Sequence, residues 1–459
     1  MHTEPGSVSC ISAREARSYL AIFLAFAVIY AFSGLVPAAL GGGWNTIRPA
    51  LFGFSQLGSM GLSNIIVGSS ILLFVLVMNR ALTPAARERV RERMVGGFGS
   101  AWFRVAASLL LVAVFFALRN NFVNYDGRMF AEKFAHDIPL RGAHVTHDEM
   151  WELYLHSRFW FHTNRLFGWS AELSYQVLSS AAGGVFVLVL MYYSSLVFPR
   201  RPLLAFVLCV SGGYMQLFFG DVENYTLTAT WIMAYFLASA LYLRGRLSLV
   251  IPSIVLAVAS TFHLLAGFLL PSLLVLFAVA RRRSERRAIA AATGVFCAIV
   301  GLTLLFFHLH GLPIGDLWYH SNAFGHGGHI RNQIVDPSTG YYFDILNLTF
   351  LLAPAWILLV PLFLFGRIRF DDLNLHLIAA ALFMGLFVLG WKATLGVYSD
   401  WNMFAAAALP FSLLVARGML STECTGRLCW LPYLFAWLFM LHSLSWVISN
   451  HFLASIPGS

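Results

Sequence analysis

The composition of this 459-residue chain excludes an ordinary soluble protein. Hydrophobic residues make up 59% of the chain and charged residues only 11%, whereas a soluble domain is about 25% charged. The formal net charge of +9 would suit a nucleic-acid partner, but its distribution along the chain is that of a membrane protein, so we expect no nucleic acid. The five cysteines form no CxxC pair, so neither a disulfide framework nor a zinc site is predicted.

Long apolar runs predict an all-α fold, a polytopic bundle of transmembrane helices. A run of about 18–24 apolar residues is long enough to cross a bilayer. The stretch 247–280 is too long for one span and short for two, which predicts a helix break or a re-entrant hairpin at His263–Gly267. We count about thirteen spans, in a range of eleven to thirteen: about 18–40, 58–79, 100–118, 173–198, 202–219, 224–243, 247–262, 264–280, 287–307, 343–366, 373–391, 402–418 and 430–449.

The basic residues predict the orientation of the bundle. With the N-terminus inside, the inside segments carry 21 of the 30 basic residues, and every alternation of the spans agrees with the positive-inside rule. The long loops at residues 119–172 and 308–342 then lie outside, so any chemistry is expected on that face. Arginine outnumbers lysine 28 to 2, which favours a bacterial source and therefore an inner-membrane protein with its active face toward the periplasm.

The first long outside loop begins with an acid just past the end of a span. Asp126 lies in "NYDG" and could act as a base on a substrate that arrives from the lipid. The alternative is an ordinary turn acid, because Asp-Gly is a turn signal. Further on, Trp151, Leu155, Phe159 and Leu166 follow helical spacing. They predict an amphipathic helix along the outer leaflet, a reading compatible with an aromatic belt.

A second pair of acids lies between two apolar runs. Asp221 and Glu223 in "GDVENY" follow Gly220, which gives a turn its conformational freedom. We expect a tight hairpin whose tip brings both carboxylates to the water-facing edge, because a carboxylate in the bilayer centre costs roughly 2.5–3.5 kcal/mol. A polar turn would explain one such residue. Two acids, followed by Asn224, favour a functional site.

The remaining polar residues follow in the second half of the chain. His263 is an ionisable group in an apolar stretch, so it is either functional or a neutral histidine satisfied by a backbone carbonyl. The loop at 308–342 is rich in histidine, but no spacing matches a metal site; its glycine-rich part is predicted to form a flap that meets an anionic ligand. Asp400 and Lys392 lie in a short outside loop, where a polar turn is the alternative.

The layout of these residues resembles that of the GT-C superfamily of polytopic membrane glycosyltransferases, which take sugars from polyprenyl-phosphate carriers. The matching residues are Asp126 in "NYDG", Asp221 and Glu223 in "GDVENY", His263 in "TFHLLAGFLLP" and Asp400 in "YSDWNMF". Two spans precede the one that leads into Asp126, whereas the family's acidic loop usually follows the first span.

The resemblance divides the chain into three parts. Residues 1–98 form a two-span segment to which we assign no role, residues 99–420 form the GT-C-like catalytic module, and residues 421–459 hold the C-terminal span.

The resemblance also implies a reaction. A sugar would move from a polyprenyl-phosphate donor to a lipid, glycan or protein acceptor at the outer face, with inversion. Asp126 is the predicted general base, and Asp221 and Glu223 are the other predicted catalytic residues. The phosphate leaving group needs cations or hydrogen-bond donors. The predicted substrate-binding residues are Arg128, Lys133, His263, His326, His329, Arg331, Lys392 and Asp400.

Asp126, Asp221 and Glu223 have a second reading, as ligands of a divalent cation such as Mg²⁺ or Mn²⁺. Some members of the superfamily use a metal and others do not, so the residues leave this open. The rival class is a lipid or glycan transporter or flippase without transferase chemistry, and a third reading is an inactive scaffold. A transporter places polar residues at the bilayer midplane in broken helices of two related halves. The acids of this chain instead collect on one face, and no internal repeat is visible.

Overall fold

The computed structural model describes residues 13–32, 96–121, 125–136, 148–312, 339–391, 393, 397, 400–420 and 431–453. Within these ranges every regular element is a helix. The α-helices are α1 (Ala13–Phe32), α2 (Ala101–Ala117), α3 (Tyr125–His136), α4 (Met150–Phe167), α5 (Ala171–Val197), α6 (Pro202–Val210), α7 (Thr226–Leu243), α8 (Val250–Phe262), α9 (Leu270–Arg282), α10 (Arg286–Leu309), α11 (Thr339–Leu352), α12 (Leu359–Leu364), α13 (Asp372–Gly390), α14 (Trp401–Ala405), α15 (Ala408–Leu420) and α16 (Leu431–Leu453). Three 3₁₀ helices cover Gly213–Phe218, Leu264–Leu269 and Pro354–Leu358.

Seven helical segments of the described chain are long and apolar enough to cross a membrane, or eight if one bent pair counts as a span. The polytopic all-α bundle is therefore confirmed, but the count of thirteen spans is not. The seven segments are Ala171–Val197, Thr226–Leu243, Leu264–Arg282, Arg286–Leu309, Asp372–Gly390, Trp401–Leu420 and Leu431–Ile448.

Several predicted spans are broken or short because local signals interrupt the apolar runs. The run at 343–366 bends by 97° between Asp344–Leu352 and Pro354–Leu364, where Pro354 removes a backbone donor. The run at 202–219 divides into α6 and a 3₁₀ helix. The predicted span at 58–79 lies outside the described residues.

The chain breaks at His263, as the sequence predicts. His263 is extended, with φ −148° and ψ 131°, so α8 ends there after 13 residues and a 3₁₀ helix follows. The Nδ1 atom of His263 accepts a hydrogen bond from the backbone N–H of Leu265 at 3.1 Å. The histidine side chain therefore caps the start of the 3₁₀ helix Leu264–Leu269 that follows the break.

The core is formed by neighbours along the chain. Helix α7 packs between α5 and α8, α2 packs on α5, and α8 packs on α10. In the second half, α13 packs on α9 and α15. Helix α10 is the most peripheral of the spans, with 11% of its apolar window buried, which suits a helix that faces lipid.

A buried ion pair ties the N-terminal helix to the second half of the bundle. The Nε atom of Arg367 lies 2.6 Å from Oε1 of Glu15, and its Nη2 atom contacts the other carboxylate oxygen. Both residues are buried, with 7% and 2% of their surfaces exposed. This two-point contact fixes the position of α1.

Candidate functional site

Helix α4 forms at the predicted position, and its polar side faces the protein. Glu152, His156 and Thr163 are buried, whereas Leu155 and Leu166 are 38% and 71% exposed. The exposed leucines suit a helix that lies against lipid. The buried polar side chains face the interior of the protein.

The carboxylate of Glu152 caps helix α7 from the neighbouring helix. Its Oε1 atom accepts from the backbone N–H of Leu227 at 2.8 Å, and its Oε2 atom accepts from the N–H and the hydroxyl of Thr228, each at 2.8 Å. The first N–H groups of a helix have no partner within it, and the helix dipole favours a negative charge there. Glu152 therefore fastens α4 to the start of α7.

Glu149 begins α4 and faces the break at His263. The Nε2 atom of His263 lies 3.5 Å from Oε1 of Glu149. The backbone supports the same contact, because the N–H of Leu264 donates to the carbonyl of Asp148 at 2.8 Å. The start of α4 is thus joined to the broken helix, and both ring nitrogens of His263 face protein atoms.

A chain of directional hydrogen bonds continues from Glu149 into the bundle. The amide Nδ2 of Asn224 donates to Oε2 of Glu149 at 3.1 Å, and the hydroxyl of Tyr175 donates to Oδ1 of Asn224 at 2.9 Å. The ring of Tyr175 stacks on His156, with centroids 3.9 Å apart. These contacts hold the Glu149 carboxylate in one orientation.

Tyr225 marks the point where the acids converge. Its ring stacks on His263, with centroids 4.8 Å apart. Burial raises the pKa of Tyr225 well above its usual value, and nearby carboxylates raise it further. Those carboxylates belong to Glu149, Glu223, Asp148 and Asp400. The structure thus brings two predicted acids and the predicted histidine to one place.

Asp221 lies in a buried turn and not at a water-facing tip. Gly220 has φ +65°, and a Cβ atom there would lie 2.7 Å from the Cβ of Arg119, so the turn requires glycine. Asp221 and Glu223 are each only 3% exposed, which corrects the expectation that both escape to water. Burial raises the pKa of Asp221 to about 7, against the hydrogen bonds of Asn402 and Asn120. Oδ2 of Asp221 has no hydrogen-bond partner among the described residues, so the free-energy cost of burying this acid is only partly offset.

A cavity of about 310 Å³ lies between α3 and the start of α5. Arg128, Glu132, Glu172 and Asn121 line it. The Asn121 side chain is itself held by the carbonyl of His451 at 2.7 Å. Amide, carboxylate and guanidinium groups around a concave space suit the hydroxyl groups of a carbohydrate.

Several predicted site residues lie outside the part of the chain that is described. Asp126 and Lys133 belong to α3, but their side chains are not among those described, and Arg331 and Lys392 fall in gaps, as do His326 and His329. Among the described residues, no group of three His, Cys, Asp or Glu side chains is placed to hold a metal ion. A metal held by Asp126 with Asp221 and Glu223 stays a prediction.

Three important residues were missed by the sequence reasoning. Glu149, Glu152 and His156 occur as "EMWELYLH", at the helical spacing i, i+3 and i+7. That spacing is a signal for one polar helix face, and such a face beside an apolar one could have been read as protein-facing. Asn224 was read as a polar turn neighbour, although it carries the link from Tyr175 to Glu149.

No protein-family model matches the chain, and no curated protein matches it in sequence. Its fold is similar to that of ArnT from Cupriavidus metallidurans. The ArnT structure bound to undecaprenyl phosphate matches with a TM-score of 0.54 and 13% identity, over 78% of each chain. The apo structure matches with a TM-score of 0.50 and 13% identity, over 78% of this chain and 77% of that one. The likeness confirms the predicted GT-C-like fold.

Proposed function

We propose that this polytopic membrane protein is a glycosyltransferase that moves a sugar from a polyprenyl-phosphate donor to an envelope acceptor at the outer face of the bacterial inner membrane. The observation that carries the proposal is the fold, which is similar to that of ArnT, a protein solved with undecaprenyl phosphate bound. A fold alone hosts several chemistries, so the site must supply the reaction.

The site supports inverting transfer. Asp126 takes the proton of the acceptor hydroxyl while the oxygen attacks the anomeric carbon, and the bond to the phosphate oxygen breaks. The polyprenyl phosphate leaves with the electron pair of that bond. Arg128, at the cavity beside α3, meets the negative charge together with Lys133, Arg331 and Lys392.

The environment of His263 favours the enzyme over the transporter. A transporter needs its polar break at the bilayer midplane, where it lines a passage. The break at His263 instead contacts Asp148 and Glu149, which lie within the predicted outside loop 119–172. The carbonyl of Asp148 and the carboxylate of Glu149 that contact the break thus belong to the predicted outer face of the protein.

Transfer in vitro tests the proposal. The purified protein in nanodiscs is incubated with a panel of undecaprenyl-phosphate sugars and an envelope lipid and glycan fraction, with and without EDTA. We expect labelled sugar to move from one donor to an acceptor, with undecaprenyl phosphate as the second product. Loss of transfer in EDTA, restored by Mg²⁺ or Mn²⁺, would support the metal prediction. Movement of the donor across the bilayer without bond cleavage would instead identify a flippase.

A further inference from the structure

Glu149 differs from the other acids around Tyr225 because its carboxylate is both held by neighbouring side chains and partly exposed to solvent. Its side chain keeps 13% of its surface exposed, whereas Glu223 is 3% exposed and Glu152 is fully buried. Asp148 is exposed, but no side-chain hydrogen bond orients it among the described contacts. Nδ2 of Asn224 donates a hydrogen bond to Oε2 of Glu149, and Nε2 of His263 faces the other oxygen, Oε1, at 3.5 Å, an ion-pair distance.

The backbone determines which nitrogen of His263 carries the proton. The N–H of Leu265 points at Nδ1, so a proton on Nδ1 would place two donors against each other. The neutral ring therefore carries its proton on Nε2, which is the atom that faces Glu149. Burial opposes charge on the ring, but the pKa of His263 is raised overall because the carboxylates of Glu149, Asp148 and Glu152 lie near it.

The carboxylate of Glu149 can accept further hydrogen bonds. Each carboxylate oxygen accepts about two hydrogen bonds, and Asn224 donates one to Oε2 of Glu149. The side chain is also 13% exposed, so a ligand can reach it. A preorganised carboxylate of this kind binds a hydroxyl group without further loss of side-chain conformational entropy.

We infer that Glu149 is a substrate-facing carboxylate that accepts a hydrogen bond from a sugar hydroxyl, and that His263 is a positioning residue that holds Glu149 through its Nε2 proton. The inference rests on the proposed function for its ligand class, the hydroxyl groups of a sugar. It replaces the predicted role of His263 as a ligand of the donor phosphate.

Two substitutions of His263 separate positioning from structure. His263→Gln carries an amide N–H close to the place of Nε2, whereas His263→Leu does not, and both remove the acceptor of the Leu265 N–H. We expect kcat/KM for sugar transfer to fall about 10–100-fold in Glu149→Gln and in His263→Leu, since hydrogen bonds to charged groups contribute about 1.5–3 kcal/mol. His263→Gln should recover most of the loss. Asp372→Asn, which removes a partly exposed charge outside this cluster, is the control.

The pH profile gives a second readout. Transfer requires the ionised carboxylate, so the rate falls as the pH drops through the pKa of Glu149. Burial raises that pKa, and the contacts of His263 and Asn224 oppose the rise. His263→Leu should therefore move the acidic limb to higher pH by about one unit, and His263→Gln should return it. Equal shifts of the acidic limb in His263→Leu and His263→Gln, or no shift in either variant, would overturn the positioning role.

Nitrogen NMR of the histidines tests the pair without any substrate. With ¹⁵N-labelled histidine in nanodiscs, the signal that disappears in His263→Gln should show a protonated Nε2 and an unprotonated Nδ1, and it should shift in Glu149→Gln. A protonated Nδ1, or no shift, contradicts the inference even in a protein that transfers no sugar. Absence of wild-type transfer with the expected NMR result would instead contradict the proposed function alone.

Discussion

The carboxylates of this site carry the same functional group but differ in burial and in hydrogen-bond partners. Glu152 is fully buried and accepts hydrogen bonds from the backbone of the next helix. Asp221 is equally enclosed but is met by neutral amide groups, so burial raises its pKa to about 7. Glu149 is held by donors and stays partly exposed. The environment, not the residue type, therefore assigns the structural and functional roles.

Replacement of Asp126 by Asn tests the predicted base. The amide cannot take a proton from the acceptor hydroxyl, so we expect sugar transfer to fall by about 10²–10⁴-fold. Binding of undecaprenyl phosphate, measured by titration in nanodiscs, should stay close to that of the wild type. Asp372→Asn serves as the control for the loss of a charge outside the site. Unchanged transfer would remove Asp126 as the base.

Asp221 predicts a stability that depends on pH. Its folded pKa is about 7 against an ordinary 3.8, so the unfolded chain releases this proton at lower pH than the folded protein. Stability is therefore greatest below the ordinary value and is lost as the pH rises to about 7. Asp221→Asn removes the loss, so its gain in apparent melting temperature over the wild type should be larger at pH 8 than at pH 5. An equal difference at both pH values, or the same trend in Asp148→Asn, would contradict this.

At the scale of single elements, helix α4 shows how lipid changes the meaning of an amphipathic pattern. In a soluble protein the apolar side of a helix packs inward. Here Glu152 and His156 face the protein while Leu155 and Leu166 are exposed. Lipid is as apolar as a protein core, so apolar side chains gain little by turning inward, whereas polar groups find partners only inside.

Substitution of Glu152 tests the link between α4 and α7. Glu152→Ala leaves the N–H groups of Leu227 and Thr228 buried without their acceptor, and each such group costs about 1–3 kcal/mol. We expect a free energy of unfolding lower by about 3 kcal/mol, measured by denaturant titration in mixed micelles. Glu172→Ala, at the exposed first turn of α5, is the control and should have little effect. Equal effects would contradict the capping role.

At the scale of the whole molecule, one buried ion pair joins parts of the chain that are 352 residues apart. Removing one partner leaves the other charge buried, which costs about 3–5 kcal/mol. Glu15→Ala should therefore destabilise the protein by about that amount, whereas Glu15→Met with Arg367→Met should recover most of it. The exposed pair of Arg282 and Asp372 is the control, for which about 0–1 kcal/mol is expected. A double variant no better than Glu15→Ala would contradict the account.

The orientation of the bundle can be tested on helix α10. The basic turn before it is predicted inside, and the loop after it is predicted outside. In a background without the five native cysteines, His310→Cys should react with a membrane-impermeant maleimide in intact cells, and Ser284→Cys should react only after permeabilisation. Both positions are exposed in the structure. The opposite pattern would reverse the predicted topology.

Much of the architecture follows from the order of residues. Apolar runs longer than a bilayer is thick must cross it as helices, because the backbone has no other partners in lipid. The break at His263 and the glycine turn before Asp221 could be predicted from the sequence because both depend on local backbone preference. The number of spans could not be predicted, because Pro354 and the short helices α6 and α8 interrupt apolar runs that composition alone would join.

The amino-acid sequence by itself determined the membrane class, the helical architecture, the break at His263 and the GT-C-like layout. All four depend on hydropathy and on local backbone preference, which act over one or two helical turns. Only the tertiary structure decided that Asp221 is enclosed, that Glu152 caps a neighbouring helix and that Glu149 pairs with His263. These contacts join residues up to about a hundred positions apart, and burial and hydrogen bonding between them arise only once the helices have packed.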